Sequence, residues 1–322
     1  MRLDGSKLVV IGGAGLIGSH TVDQVLLEDV SEVVVFDNFS RGSSENLAAV
    51  LEDPRLTVIE GDLTDFGDVS AVVEGADGVF HFAALWLLHC QEHPRDGHDV
   101  NLTGTYNLLQ ACSDSGIQRL VFSSSASVYG EAVVEPMDES HPFNNTTIYG
   151  ATKIGGEAMA SAFYHRNGLG YVGLRYFNVY GPRQDYKGAY VAVIMKMLDA
   201  LDRGEAPAVF GDGTQAYDFV SVGDCAKANV AAMKAEVVDR FYNVCTGTRT
   251  SIGDLAELLI QLTEREVDID YRPAGVSFVR NRIGDPTAAR LALDFVADTD
   301  LVEGLGELIA WRDDHRRNHS VG

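Results

Sequence analysis

Cysteine is scarce in this chain of 322 residues, and the four cysteines, at positions 90, 112, 225 and 245, lie far apart with no paired spacing. That pattern argues against a secreted disulfide framework and indicates a reducing compartment. Long hydrophobic runs are absent too, since no stretch approaches the ~18 consecutive apolar residues of a membrane span. The N-terminal segment also lacks the apolar core of a signal peptide. We therefore expect a cytoplasmic protein that does not engage a membrane.

Basic side chains are few, with 25 lysines and arginines against 47 aspartates and glutamates, which gives a formal net charge of −22. Such a field repels phosphate backbones and excludes nucleic-acid binding through a basic surface as the main function. A small anionic ligand is not excluded, because a pocket can be locally positive inside an acidic protein. Hydrophobic residues make up 46% of the chain, which is ordinary for a globular protein with a sizeable core.

The first 180 residues alternate short apolar runs with longer helical patterns. Most of the runs are rich in Val, Ile and Phe, which is typical of strands buried on both faces of a parallel sheet. The predicted strands are Lys7–Gly12, Glu32–Asp37, Leu56–Glu60, Gly78–Phe82, Arg119–Ser123 and Tyr171–Phe177. The helices predicted between them include Leu16–Leu27, Asn101–Ser115 and Tyr149–Arg166. This alternation predicts an α/β fold with a doubly wound parallel sheet of the Rossmann type.

The pattern changes after Gly181 and Pro182, where longer helices are predicted at Val191–Arg203 and Ser251–Glu264. Short strands are predicted around Phe219 and Tyr242. We expect a dinucleotide-binding domain at residues 1–180 and a smaller α/β substrate-binding part at residues 181–322. The chain is expected to cross between the two, and the smaller part to cover the open edge of the first domain.

A glycine-rich loop follows the first predicted strand and opens the first predicted helix, with Gly12, Gly15 and Gly18 in the spacing G-x-x-G-x-x-G. Glycines let the backbone turn tightly and approach a pyrophosphate, whose charge is met by the N–H groups of a helix N-terminus. Asp37 ends the second strand 19 residues after Gly18. A carboxylate there accepts hydrogen bonds from the adenine ribose and repels a 2′-phosphate. The sequence therefore favours NAD over NADP, and Arg41 is the nearby residue that could soften this preference.

Tyr149 and Lys153 stand four residues apart on a predicted helix, so they share one face and can reach one substrate. Tyrosine titrates near ~10, too high for a base at neutral pH, but a neighbouring cation favours the phenolate. Lys153 can supply that charge. Upstream, the fifth predicted strand runs into Ser123 and Ser125, at the carboxyl edge where open parallel sheets bind ligands.

With these motifs the chain resembles the extended short-chain dehydrogenase/reductase family, and most closely its nucleotide-sugar epimerases, typified by UDP-galactose 4-epimerase. The matching segments run nearly from end to end: GGAGLIGSH, VVFDNFSRG, GDLTD, HFAAL, VNLTGT, FSSSASVYG, YGATK, LRYFNVYGPRQ, VFGDGTQAYDFV, YNVCTGTRTSI and EGLGELIAW. The resemblance implies that NAD stays bound and that a UDP-hexose is inverted at C4 through a transient 4-keto sugar.

The resemblance also implies roles for single residues. Tyr149 would be the acid/base at the sugar 4-hydroxyl, Lys153 the anchor of the nicotinamide ribose, and Ser125 the hydroxyl between sugar and phenol. Asn178 would bind the diphosphate, and Asn101 would support the active-site helix. The expected NAD contacts are Gly12, Gly15, Leu16, Ile17, Gly18, Asp37, Asn38, Asp62, Leu63, Phe82, Ala83, Ala84, Ser123, Tyr149, Lys153 and Tyr176. The expected substrate contacts are Trp86, Ser125, Ser127, Asn178, Val209, Phe210, Tyr217, Arg272 and Arg282.

Two other activities of the same family stay open, a nucleotide-sugar reductase using NAD(P) and a dehydratase. Dehydratases of this family carry an Asp-Glu pair directly after the catalytic hydroxyl, as acid and base; this chain has Ala126 and Ser127 there. A reductase needs only Tyr149, Lys153 and a hydride donor, and it releases its dinucleotide where an epimerase retains it. A dinucleotide sensor without activity is disfavoured by the intact catalytic residues.

No metal site is predicted. His89 and His93 are spaced i, i+4, but Pro94 breaks a helix there and no pattern of acidic ligands accompanies them. Solvated loop histidines are the better interpretation.

Two positions depart from the family pattern on the substrate side. Tyr217 stands where relatives commonly place an arginine that holds the diphosphate, and Trp86 where a small or polar residue is common. Trp86 predicts a more apolar wall of the sugar pocket, or else it merely fills core space. Because two buried phosphates need cationic donors, we expect Arg272, with Arg282 in support, to replace the missing arginine. The alternative is that Arg282 is a solvated surface cation.

Family resemblance also predicts a homodimer that pairs through the helices Asn101–Ser115 and Tyr149–Arg166. The second helix carries Ala151, Ile154, Ala158 and Ala162 in a stripe at roughly helical spacing, small enough for close approach. The alternative is that this stripe packs on its own sheet.

Overall fold

The computed structural model of the chain describes residues 1–185, 193–274 and 279–319. The strands are β1 (Lys7–Ile11), β2 (Glu32–Asp37), β3 (Leu56–Glu60), β4 (Gly78–His81), β5 (Arg119–Ser125), β6 (Tyr171–Tyr176), β7 (Asn178–Tyr180), β8 (Ala208–Phe210), β9 (Ala216–Tyr217), β10 (Phe219–Ser221), β11 (Arg240–Val244), β12 (Thr250–Ser251), β13 (Asp270–Arg272) and β14 (Asn281–Arg282). The helices are α1 (Leu16–Leu26), α2 (Phe66–Val73), α3 (Leu87–Glu92), α4 (Pro94–His98), α5 (Thr105–Asp114), α6 (Ile148–Asn167), α7 (Val193–Asp202), α8 (Val222–Lys234), α9 (Ile252–Leu262), α10 (Thr287–Leu293) and α11 (Leu301–His319). The predicted helix start at Val191 lies outside the described residues.

Seven strands form one sheet in the order β11-β6-β5-β4-β1-β2-β3. Every pair in it is parallel, which confirms the predicted doubly wound Rossmann-type fold. The strand order reverses between β1 and β4, and ligands bind beside such a switch point, outside the carboxyl ends of the strands. The strand around Tyr242, which we expected in the smaller part, is β11; it pairs with β6 and forms an edge of the main sheet.

The two faces of this sheet are covered by different helices because side chains alternate along each strand. In β1, Leu8 and Val10 pack into a core shared with α1 and α8. Val9 and Ile11 point the other way, into a core shared with α2, α5 and α6. The near-continuous apolar runs are therefore buried on both faces, as predicted, because each central strand contributes side chains to both cores.

Strand β3 differs from that expectation. It is the edge strand next to β2, and four of its five residues are exposed. Val58 is 37% exposed and Ile59 39% exposed. An apolar run alone does not distinguish a central strand from an edge strand, because the distinction depends on what pairs beyond it.

The C-terminal part has a core of its own, built from α7, α9, α11 and the short strands β8 and β10. Arg312 on α11 is almost fully buried there and forms ion pairs with Asp199 and Asp202 of α7. Within the described part of the chain, no helix is long and apolar enough to cross a membrane.

The register between β2 and β3 gives a matched test of burial, because Val35 lies directly opposite Val58. Val35 is fully buried and Val58 is 37% exposed. We expect Val35→Ala to lower the free energy of unfolding by about 2–3 kcal/mol through lost burial and a residual cavity. Val58→Ala should cost less than about 1 kcal/mol. Urea denaturation measures both values, and equal costs would contradict the assignment of β3 as an exposed edge.

Candidate active site

A cavity of about 1380 Å³ opens at the carboxyl edge of the main sheet, between the sheet and the C-terminal part. Ile11, Asp37 and Ser123 line it from the strands β1, β2 and β5, and Asn178 and Arg282 line it from the opposite side. Drug-sized ligands occupy pockets of about 300–1,000 Å³. This cavity is therefore large enough for two ligands side by side.

The glycine loop packs too tightly for any side chain. A Cβ at Gly12 would lie 2.6 Å from the backbone nitrogen of Ala83, and a Cβ at Gly18 would overlap the carbonyl oxygen of Gly12. Helix α1 starts at Leu16, and among the described residues no side chain caps it and no acid lies in its first turn. Its first N–H groups thus face the cavity as donors for an anion.

Asp37 ends β2 beside this loop and is largely buried, at 9% exposure. Its Oδ2 accepts a hydrogen bond from the Ala14 N–H and its Oδ1 one from the Phe39 N–H, each at 2.9 Å. Burial raises the pKa of Asp37, and these backbone donors partly offset the shift. Each carboxylate oxygen keeps a lone pair for a ligand hydroxyl. The glycine cradle, the helix terminus and this acid together fit the pyrophosphate and ribose of NAD.

The predicted catalytic side chains come together where β5 ends and α6 begins. The Thr147 hydroxyl caps α6 by accepting from the Gly150 N–H at 3.0 Å, which fixes the first turn that carries Tyr149. The Ser125 hydroxyl lies beside the Tyr149 hydroxyl and favours its phenolate form. Lys153 is buried, its Nζ donating to the Ser123 carbonyl at 2.8 Å and lying 5.7 Å from the Tyr149 ring centroid.

The electrostatics of this cluster differ from the sequence expectation. Burial raises the pKa of Tyr149 to about 12, although its interaction with the Ser125 hydroxyl and the charge of Arg282 lower it. Burial also lowers the pKa of Lys153 to about 8. We expected the lysine to favour the phenolate, but desolvation outweighs it, and the cation that lowers the Tyr149 pKa is Arg282. Tyr149 is therefore a protonated phenol at neutral pH in this structure.

A buried ion pair that the sequence analysis missed holds α6 against the sheet. Glu157 on α6 accepts from Arg175 Nε at 2.9 Å and pairs with Arg175 Nη2 at 2.7 Å. It also accepts from the Ser124 hydroxyl at 2.5 Å. Glu157 lies four residues after Lys153 and raises its pKa, so the pair both positions the helix and stabilises the lysine cation. An acid one turn beyond the lysine, opposite an arginine in a buried strand, was the available signal.

Most residues predicted to contact ligands line the cavity. On the NAD side these are Gly12, Gly15, Leu16, Ile17, Gly18, Asp37, Asn38, Asp62, Leu63, Phe82, Ala83, Ala84 and Ser123. On the substrate side they are Trp86, Asn178, Phe210, Tyr217 and Arg282. The cavity also includes Arg183 and Gln184, which the sequence analysis did not single out; Arg183 is held by an ion pair of 2.6 Å to Asp23 on α1.

Six other predicted contacts are not among the cavity-lining residues of the described chain: Ser125, Tyr149 and Lys153 form the cluster described above, and three more are buried elsewhere. Tyr176 is turned to the opposite side of β6, and its hydroxyl donates to Asn229 on α8 at 2.5 Å. Val209 packs into the C-terminal core, while its neighbour Phe210 lines the cavity. Ser127 is buried beneath Ser125, whose hydroxyl accepts from the Ser127 N–H at 3.1 Å. In the first two cases the side chain lies on the face of its strand that packs into a core, because successive side chains of a strand point to opposite faces.

Of the two arginines expected to bind the diphosphate, Arg282 lines the cavity of the described chain and Arg272 does not. Arg272 is half exposed, is paired with Asp270 at 2.7 Å and is not among the cavity-lining residues of the described chain. Arg282 lines the cavity opposite Tyr217 in the β14–β9 register. Its Nε is buried with no hydrogen-bond partner among the described residues, and burial lowers its pKa. The residues at 275–278 between them lie outside the described chain.

Comparison with known proteins agrees with this geometry. The model of the NAD-dependent epimerase/dehydratase family matches residues 8–245. UDP-glucose 4-epimerase of Corynebacterium glutamicum is 34% identical over 87% of this chain and 85% of its own. The structure of UDP-N-acetylglucosamine 4-epimerase from Methanobrevibacter ruminantium M1, in complex with UDP-N-acetylmuramic acid, has a TM-score of 0.92 and 34% identity, covering 97% of this chain and 99% of that one. The dTDP-glucose 4,6-dehydratase of Streptomyces venezuelae, with NAD bound, has a TM-score of 0.90 and 27% identity, covering 97% and 98%.

The Glu157–Arg175 pair gives a prediction about both stability and titration. Glu157→Gln leaves Arg175 buried without its counter-charge and should lower the free energy of unfolding by about 3–5 kcal/mol. It should also move the pKa of Lys153 below its value of about 8, because the negative charge that favours the cation is gone. Chemical denaturation and the pH dependence of the Lys153 side-chain NMR signal, assigned with Lys153→Met, measure the two effects.

The matched control is Glu28→Gln, which breaks the more exposed pair with Lys234 and should cost less than about 1 kcal/mol. The lowered pKa of Lys153 determines the direction in which its contribution to the free energy of unfolding changes with pH. Between pH 8 and 10.5 the folded protein has lost this proton and the unfolded chain keeps it, so this residue's contribution to stability rises with pH. A Lys153 pKa that Glu157→Gln leaves unchanged would contradict the electrostatic role of Glu157.

Proposed function

The chain belongs to the NAD-dependent epimerase/dehydratase family and uses NAD, and on that premise we propose that it is a nucleotide-sugar 4-epimerase acting on a UDP-hexose. The observation that carries the proposal is the cluster of Ser125, Tyr149 and Lys153, in which Ser125 lowers the Tyr149 pKa and Lys153 Nζ lies 5.7 Å from the Tyr149 ring centroid. This cluster adjoins a cavity that has a dinucleotide cradle on one side and a buried arginine on the other. Relatives named as epimerases of UDP-sugars support the substrate class.

The chain's own residues would handle the proton of the sugar 4-hydroxyl. When bound, NAD supplies the acceptor and donor of hydride at the neighbouring carbon. Tyr149 Oη would take the O4 proton and return it, with the Ser125 hydroxyl relaying or holding the hydrogen bond. Because its pKa is about 12 here, Tyr149 needs more positive charge beside it to act as a base. Lys153 and Arg282 are the cations placed to contribute that charge.

Epimerisation is favoured over dehydration by the two residues that follow Ser125. A dehydratase must protonate a leaving hydroxyl and remove the C5 proton, which takes an acid and a base next to the sugar. Ala126 cannot do either, and Ser127 is buried with its N–H bound to Ser125. Without an acid and a base at these two positions, we expect the C5 proton to stay in place and the sugar to change only at C4.

The experiment that tests the proposal is turnover of a panel of nucleotide sugars by the purified protein without added cofactor. The panel contains UDP-glucose, UDP-galactose, their N-acetylated counterparts and dTDP-glucose. The products are separated by chromatography and their masses are measured by mass spectrometry. We expect interconversion of a 4-epimeric UDP-hexose pair at unchanged mass. A product lighter by one water identifies a dehydratase, and a requirement for stoichiometric reduced dinucleotide identifies a reductase.

Tyr149→Phe removes the hydroxyl that would carry the proton and keeps the ring. We expect turnover to fall to less than about a tenth of wild type while bound NAD is retained, since the cradle of Gly12–Gly18 and Asp37 is untouched. Activity is followed with the best substrate of the panel, and bound nucleotide is quantified after denaturation. Retention of more than about a tenth of the activity removes Tyr149 from this role.

We propose that Arg282 holds the substrate diphosphate in place of the arginine missing at Tyr217. Arg282 lines the cavity on the same side as Asn178, an uncharged donor, and its buried Nε has no hydrogen-bond partner among the described residues. Loss of a charge-assisted contact of this kind costs ~2–4 kcal/mol of binding free energy.

Arg282→Ala should therefore raise KM at least about tenfold. Arg272→Ala, at an arginine already paired with Asp270, is the matched control and should leave KM within about twofold. Equal effects of the two variants would overturn the assignment.

We also propose a homodimer through α5 and α6, in a reducing cytoplasm that suits the four free, buried cysteines. On the stripe of α6, Ala151, Ala158 and Ala162 are exposed, and Ile154 is half-buried against a core cluster that includes Tyr129; the exposed alanines support the dimer. Tyr106 on α5, the neighbouring helix, is 47% exposed.

Light scattering should give about twice the 34.8 kDa chain mass, and Ala158→Arg should reduce the measured mass to that of one chain. A wild-type mass of one chain rejects the dimer.

A further inference from the structure

Arg41 stands close to the expected position of the adenine ribose. Its neighbour Gly42 packs so near Asp37 that a Cβ there would lie 3.0 Å from the Asp37 carboxylate. An arginine beside this acid is the residue type with which dinucleotide-binding folds accommodate the 2′-phosphate of NADP. By position alone, Arg41 could therefore admit NADP.

The guanidinium of Arg41 is engaged by two other side chains. Its guanidinium carbon lies 3.9 Å from the centroid of the Trp86 ring, and its Nε lies 3.4 Å from Asp185 Oδ2. Trp86 follows β4 and Asp185 follows β7, so the two contacts hold Arg41 from separate segments. All three side chains line the same cavity as Asp37.

The two contacts act on different properties of the guanidinium. The ring attracts its charge and its flat face, and the carboxylate attracts its charge and N–H groups. Trp86 is itself positioned, since its ring lies 5.2 Å from that of His89 on α3. Each contact alone is weak at the exposure found here, but a 2′-phosphate must break both before it can recruit Arg41.

We propose that Trp86 and Asp185 are specificity-determining residues for the cofactor, which exclude NADP by holding Arg41 on the substrate side of the cavity. Selection for NAD then has two parts: Asp37 repels the 2′-phosphate, and the cation that could offset this repulsion is engaged elsewhere. This inference rests on the placement of the adenine ribose at Asp37 that the proposed function uses. It also gives Trp86 a role other than filling core space.

The test measures which nucleotide the whole protein retains. Wild type, Asp185→Asn, Trp86→Leu and the double variant are equilibrated with an excess of an equimolar NAD and NADP mixture. After gel filtration, the bound nucleotides are quantified by chromatography. We expect the bound NADP-to-NAD ratio to rise at least about fivefold in the double variant and by a smaller factor in each single variant.

Arg41→Gln separates the release of Arg41 from a simple loss of negative charge. Added to the double variant, it should return the ratio to that of wild type. A ratio unchanged in the double variant overturns the inference, and so does a rise that survives Arg41→Gln. Asp185→Asn, at an exposed side chain, provides the same comparison if the tryptophan variant does not fold. Because no sugar is present, the outcome is independent of whether the protein is an epimerase.

Discussion

Parallel pairing of the seven central strands is the constraint on which the site depends, because it brings their carboxyl ends to one edge. Residues far apart in the chain, such as Asp37 at the end of β2 and Ser123 near the end of β5, therefore line one cavity. The reversal of strand order between β1 and β4 opens the crevice there. The C-terminal part closes the far side, where β9 and β14 bring Tyr217 and Arg282 together.

The protein carries a net charge of −22, yet its cavity region holds cations whose charge is costly to bury. Lys153 has a pKa lowered to about 8, and burial lowers that of Arg282 as well. Glu157 offsets part of this cost for Lys153, whereas Arg282 has an Nε without a partner among the described residues. An anionic ligand would relieve both, and this is how an acidic protein can select a dianionic substrate and a pyrophosphate cofactor.

The fold and the NAD side of the site could be predicted because they depend on local patterns. The glycine loop, the acid at the end of β2 and the strand–helix alternation each lie within a few tens of residues. The structure differs from the predicted placements where distant pairing or the phase of side chains along a strand determines the position. Tyr176 and Val209 pack into cores and do not line the cavity in the described chain. Arg272 was preferred to Arg282 because the register of β14 with β9 cannot be read locally. The Glu157–Arg175 pair and the position of Arg41 likewise depend on tertiary contacts.

The central claim is that a sugar is inverted at C4 by a protein that keeps its cofactor, and the fate of the hydrogen at C4 tests it most directly. UDP-hexose labelled with deuterium at C4 is incubated with the protein in ordinary water without added dinucleotide, and the product is examined by NMR and mass spectrometry. We predict a 4-epimer that retains the deuterium at C4 with no loss of mass. Deuterium lost to water, or a product lighter by one water with the label moved from C4, would contradict the account.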